Sequence, residues 1–169
     1  MRKVLLLLAT ALALDAQTWH RFGNTLFQLP EGWTHINRRG TAILTAPEPR
    51  GAPTVTILLS PSATLSSLDF KVVFEQVVTK ANGLIKVVGG GKTEPRQSSE
   101  GYPVLVRDLH AVDGRGGWAY RFYMGSKPGD RFEFLTYMTS SEELYRKYLP
   151  VLESICGTMT FVNLGAAKK

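Results

Sequence analysis

Apolar and polar positions change period several times along this chain, and each change marks an element. "TLFQL" at 25–29 alternates in the manner of a strand, and Pro30-Glu31-Gly32 supplies a turn before Trp33 opens a second one. "TAILTA" at 41–46 and "PTVTILLS" at 53–60 read as further strands, separated by the Pro-rich loop "PEPRGAP". The period then switches to that of a helix. Ser66 stands as a cap with Asp69 three residues on, and apolar residues recur at 70, 73, 74, 77, 78 and 81. Asn82-Gly83 ends this helix, because glycine suits the left-handed position just past a helix end. "LIKVV" at 84–88 reads as a short strand.

Two hairpins follow. "YPVLVRDLHAV" turns at Asp113-Gly114-Arg115-Gly116 into "GWAYRFYM", which turns at Lys127-Pro128-Gly129-Asp130 into "RFEFLTYMT". On the middle strand Trp118, Tyr120, Phe122 and Met124 share one face, and Phe132 and Phe134 share a face of the next. "SSEE" opens a second helix, with Ser140 and Glu143 at capping-box spacing, and a stripe runs from Tyr145 through Tyr148, Leu152 and Ile155 to Met159. Pro150 falls inside that stripe and predicts a kink or break near Lys147. "GTMTFV" closes as a short returning strand, and the tail 164–169 is expected to fray.

Strands, a helix, more strands, a helix and a last strand predict an α+β fold, an α/β/α sandwich in which helices pack on the faces of a mostly antiparallel sheet. The expected organisation is a leader over 1–16 and one domain over 17–163. The leader follows from "MRKVLLLLATALALDAQ": a basic tip, an apolar run over 4–14 and small residues near Ala13 and Ala16. At ~1.5 Å per residue that run is too short for a hydrocarbon layer ~30 Å thick, so no stable membrane span is expected. A cleaved leader implies a secreted or periplasmic protein. No cysteine follows the run, so a lipid-modified N-terminus is not expected.

Composition alters this picture only a little. With 44% hydrophobic and 20% charged residues in 169, the chain has the balance of a folded domain and not of a disordered one. The net charge of +6 comes from scattered Lys and Arg with no run long enough for a nucleic-acid stripe, so nucleic acid is not an expected partner. Cys156, the one cysteine, sits within the apolar stripe of the second helix and reads as a small buried hydrophobe.

Candidate chemistry is sparse. "VVGGGKTEPR" at 87–96 suggests a phosphate loop, but the residue five before Gly91 is Lys86, and the prolines and turn residues downstream stand where a helix should begin. Gly89 to Gly91 read instead as a flexible connection between strand edges. His20, His35 and His110 show no metal-ligand spacing. Asp108 and His110 lie two apart on one strand and share a face, yet neither a G-x-S-x-G nor an S-x-x-K nucleophile accompanies them. No catalytic residue, metal or cofactor is assigned.

"LFQLPEGWTHI" near the start, the aromatic middle strand and "YRKYLPVLESICGTMTFV" at the end give the chain a scaffold that resembles the PsbP-like superfamily. That grouping joins the extrinsic PsbP subunit of photosystem II, a Ran-binding nuclear import factor and bacterial exported proteins of the DcrB type. The resemblance implies an α/β/α sandwich and a non-enzymatic role as an assembly factor, chaperone-like binder or accessory subunit, with no catalytic motif to carry over. The expectation is therefore an exported, monomeric, non-catalytic accessory or binding protein that presents its scaffold to an envelope protein or an apolar ligand. Arg38, Arg39, Arg115 and Trp118 are the expected binding surface, because exposed arginine and aromatic side chains dominate contact energies. The alternative is a small secreted hydrolase, for which a pocket joining Asp108, His110 and a hydroxyl is the distinguishing feature.

Overall fold

The computed structural model describes residues 18–162 except 66, 84 and 113; the expected leader over 1–16 and the terminal tail lie outside these. Nine strands form one antiparallel sheet. Its main path runs β3 (Thr34–Arg38), β4 (Thr41–Thr45), β5 (Thr56–Leu59), β11 (Arg131–Thr139), β10 (Trp118–Ser126), β9 (Pro103–Val112) and β7 (Lys86–Gly90). Two short strands complete it, β6 (Ala63–Thr64) beside β11 and β8 (Glu94–Gln97) beside β9. A second, three-stranded sheet joins β1 (Thr18–Phe22), β2 (Thr25–Leu29) and β12 (Thr160–Phe161). The expected antiparallel sandwich is thus present, with a small extra sheet that the sequence pattern did not announce.

Two helices cover opposite faces of the large sheet. α1 (Phe70–Ala81) packs Phe74 and Val78 against Leu105, Leu109, Tyr123, Phe132 and Phe134. α2 (Glu142–Thr158) packs Tyr145, Tyr148, Leu152 and Ile155 against Leu44, Ile57, Leu135 and Tyr137, with Phe27 and Leu29 of β2 in the same core. Alternation on β11 explains the division: residues 132 and 134 face α1, while 135 and 137 face α2.

Both helix starts lie later than the sequence suggested. The α1 cap is Asp69, whose carboxylate accepts from the Val72 amide at 3.0 Å, and the α2 cap is Ser141, whose hydroxyl accepts from the Leu144 amide at 3.3 Å. The expected break near Lys147 does not occur, since α2 runs unbroken through Pro150. Proline removes the bond to the carbonyl of Arg146, but Pro150 and Arg146 are both exposed, so water can serve that carbonyl. Buried side chains on either side of the proline, Tyr145 and Tyr148 before it and Leu152 and Ile155 after it, hold both halves to the sheet.

The three glycines also depart from expectation. Gly89 and Gly90 belong to β7 and pair with His110 and Leu109, and the Gly91 amide donates to the Asp108 carbonyl at 3.0 Å. Gly89 and Gly90 are thus sheet and not a loose connection, and Gly91 follows directly after the strand. Glycine is needed there because Gly90 has φ of 132° and a Cβ on it would meet the Asp108 carbonyl oxygen at 2.4 Å.

Candidate functional site

Between α2 and the β8–β10 part of the sheet lies an apolar groove of about 320 Å³. Alternation along the strands builds its floor: Val104 and Val106 of β9 and Phe122 and Met124 of β10 all point toward α2. Leu152, Cys156 and Met159 form the opposite wall, with Phe161 of β12 closing one end and Arg96 and Glu153 lining it as charged neighbours. Cys156 is half-buried, and burial followed by the nearby Glu153 charge pushes its thiol up to about 12. At neutral pH it is a protonated thiol, an apolar wall group and not a nucleophile.

The floor ends on two polar side chains. Ser126 and Glu133 are direct cross-strand partners on β10 and β11, 4% and 9% exposed, and both face the α2 side. Neither Ser126 Oγ nor Glu133 Oε1 has a hydrogen-bond partner. They border a void of about 10 Å³ that shares Met124, Ser126, Met159 and Phe161 with the groove. Burial holds the Glu133 carboxyl above its ordinary range, opposed by a hydrogen bond from Ser62 and the charge of Arg131. Arg131 Nε lies 3.9 Å from Glu133 Oε1, and it donates to Ser62 Oγ at 2.5 Å.

A second polar cluster lies farther along the same face. Tyr145 donates from its hydroxyl to Asp108 Oδ1 at 2.7 Å, and His110 Nε2 stands 3.7 Å from Asp108 Oδ2. The rings of Trp118, Tyr120, Tyr145 and Tyr137 form a ladder with successive centroids 6.2, 5.9 and 5.2 Å apart. Asp108 and His110 do share a face, as the spacing required. The hydroxyl that joins them is a tyrosine whose pKa burial raises first and the Asp108 bond second, the reverse of what an activated nucleophile needs.

The four residues expected to bind a partner are exposed, but they do not form one surface. Register places them at opposite ends of the sheet. Ala42 lies opposite Leu59, Leu59 opposite Leu135, and Leu135 opposite Met124, so the turn holding Arg38 and Arg39 lies toward the Ser126 end. Trp118 and Arg115 lie at the other end of β10, beside Val112. Trp118, 54% exposed, stacks on Tyr120 and so continues the aromatic ladder to the surface. Arg39 holds φ of 50°, a left-handed conformation uncommon for a side-chain-bearing residue.

Sequence reasoning did not bring Ser126 and Glu133 together. A signal existed: after Trp118, Tyr120, Phe122 and Met124, the same face of β10 continues with a serine, and Glu133 interrupts the face that carries Leu135 and Tyr137. Also unforeseen is the meeting of His20 and His35, whose Nδ1 atoms are 3.3 Å apart over the Phe27 ring. Burial first, and His35 second, hold the His20 pKa below its usual value.

No protein-family model matches the chain, and no curated protein matches it. Solved structures do match. The chain is similar to the cyanobacterial PsbP of Synechocystis sp. PCC 6803, at 11% identity and a TM-score of 0.60, over 89% of this chain and 95% of that one. It is similar to LpqN, described as involved in cell envelope biogenesis of Mycobacterium tuberculosis, at 11% identity and 0.59, over 88% and 86%. It is similar to a variant of the protein Mog1 at 9% identity and 0.59, over 88% and 96%. The fold is therefore similar to that of cyanobacterial PsbP and of Mog1.

Proposed function

We propose that this chain is an exported, non-catalytic accessory protein of the cell envelope that holds an apolar ligand in the groove between α2 and β8–β10. The observation that carries the reading is the groove itself, about 320 Å³ lined by Val104, Val106, Phe122, Met124, Leu152 and Met159. Ligand sites are concave and mostly apolar with few polar groups, and this groove has that character. The leader pattern at residues 1–16 supports export, and the likeness in fold to an envelope-biogenesis protein supports the compartment. Among the described residues no helix is long and apolar enough to cross a membrane.

Arg38-Arg39 and Arg115-Trp118 are proposed as two separate contact surfaces for an envelope protein, one at each end of the sheet. The ligand reading is tested by native mass spectrometry of protein purified gently from its own envelope. A mass excess that organic extraction removes is expected, and Met124→Arg, which places a charge on the groove floor, should abolish it. A bare polypeptide mass for the unsubstituted protein overturns the reading.

A further inference from the structure

The inner end of the groove is costly as it stands. Ser126 Oγ and Glu133 Oε1 are buried without hydrogen-bond partners on the same side of the sheet, and buried polar groups elsewhere are almost always satisfied. As direct cross-strand partners their Cβ atoms stand about 5 Å apart, so one small polar group between them can reach both. The adjoining void of about 10 Å³ is the size of one oxygen-sized group.

Charge narrows the class of that group. A carboxylate head would bring a second acid against Glu133 in a site shielded from water, where like charges repel strongly. A cationic head would meet Arg131, whose Nε already stands 3.9 Å from Glu133 Oε1. A neutral head that donates to Glu133 and accepts from Ser126 satisfies both orphans without adding charge.

Resting on the groove reading above, we infer that Ser126 and Glu133 form a head-group subsite that selects a single-chain amphipathic ligand ending in a neutral hydrogen-bond donor, an alcohol or a primary amide. The apolar chain lies along Val104, Val106, Phe122 and Met124, and the head enters beneath Phe161. At ~30 Å³ per water-sized group, a groove of about 320 Å³ takes on the order of ten heavy atoms.

Calorimetric titration at neutral pH with four ligands of one chain length tests the selection: decan-1-ol, decanamide, decanoate and decyl methyl ether, which accepts but does not donate. The alcohol and the amide should bind about tenfold more tightly than the carboxylate and the ether, the scale of one hydrogen bond made or left unmade. Ser126→Ala should weaken the alcohol and the ether alike by about tenfold, since both accept from that hydroxyl; Glu133→Gln should leave the ether, which makes no bond to Glu133, within about twofold and narrow the gap between alcohol and carboxylate to about threefold or less. Both substitutions keep or reduce side-chain size, and circular dichroism confirms folding. Binding of all four heads within about twofold, unchanged in both variants, overturns the head-group selection and leaves the apolar groove standing. Absence of binding by every ligand to the folded protein removes the groove reading and the subsite together.

Discussion

Glu133 faces two demands at once. Its neighbours Phe132 and Phe134 pack into the α1 core, and its own side chain is turned inward toward α2, 9% exposed. Burial disfavours the charged form, so the folded-state pKa stands above the ordinary 4.5. For a carboxyl raised in this way, the folded state keeps its proton after the unfolded chain has lost it, so stability present in acid is lost as pH rises through the folded-state value. Urea unfolding across pH 4 to 7 should therefore show the unsubstituted protein losing stability relative to Glu133→Gln from about 4.5 upward. Parallel profiles would mean that Oε1 is solvated after all. Ser126 belongs to the same economy: a hydroxyl without a partner costs about 1–3 kcal/mol when buried. The polar pair ends the apolar run that passes through Met124 and Leu135 on the same face, the pattern that the proposed head-group subsite uses.

α2 carries both the groove wall and the sequence's most visible flaw. Pro150 lacks the amide that an Arg146 carbonyl would use, and the helix nonetheless continues from Glu142 to Thr158. Tertiary anchoring overrides propensity here. Tyr148 donates to Glu48 Oε1 at 2.5 Å and Lys147 at 2.9 Å, which ties the Pro-rich loop after β4 to the helix just before the proline, and Tyr137 donates to the carbonyls of Leu144 and Tyr145. Pro150→Ala should raise stability by about 1–3 kcal/mol with helix content unchanged or slightly higher, as read by urea denaturation and far-ultraviolet dichroism. No gain would show that the Arg146 carbonyl is already served without loss. At the end of α1 a similar role falls to Arg121, which donates to the Ala81 carbonyl at 2.9 Å and sets a positive charge at the negative end of that helix. Tyr123 supports the same corner by donating to Asn82 Oδ1 at 2.9 Å.

Across the whole molecule, one sheet serves two cores, and its two ends are separated by the length of β9 and β10. Arg38-Arg39 and Arg115-Trp118 therefore stand at opposite ends of the sheet, and substitutions at well-separated sites combine additively within about 0.5 kcal/mol. Paired alanine variants, one at 38 and 39 and one at 115 and 118, should each weaken any captured envelope partner independently, with the fourfold variant giving the sum. A strongly non-additive result in crosslinking yields or affinity would point to one partner spanning both ends. Neither pair lines the groove, so ligand uptake should be the same in all three variants.

Period and punctuation alone determined most of the architecture: the β9–β10–β11 meander, both amphipathic helices and the antiparallel sandwich follow from which positions are apolar, because alternation and the 3.6-residue stripe are local properties. Tertiary structure alone decided the remainder. β1 and β8 are exposed strands with weak patterns of their own, defined by the partners they find in β2 and β9. Whether Pro150 breaks a helix depended on side chains packed on both sides of it, and whether Gly89 and Gly90 form a loop or an edge strand depended on how closely Asp108 approaches. The groove and its Ser126–Glu133 floor arise from register between strands several residues apart in sequence, a relation that no single segment contains.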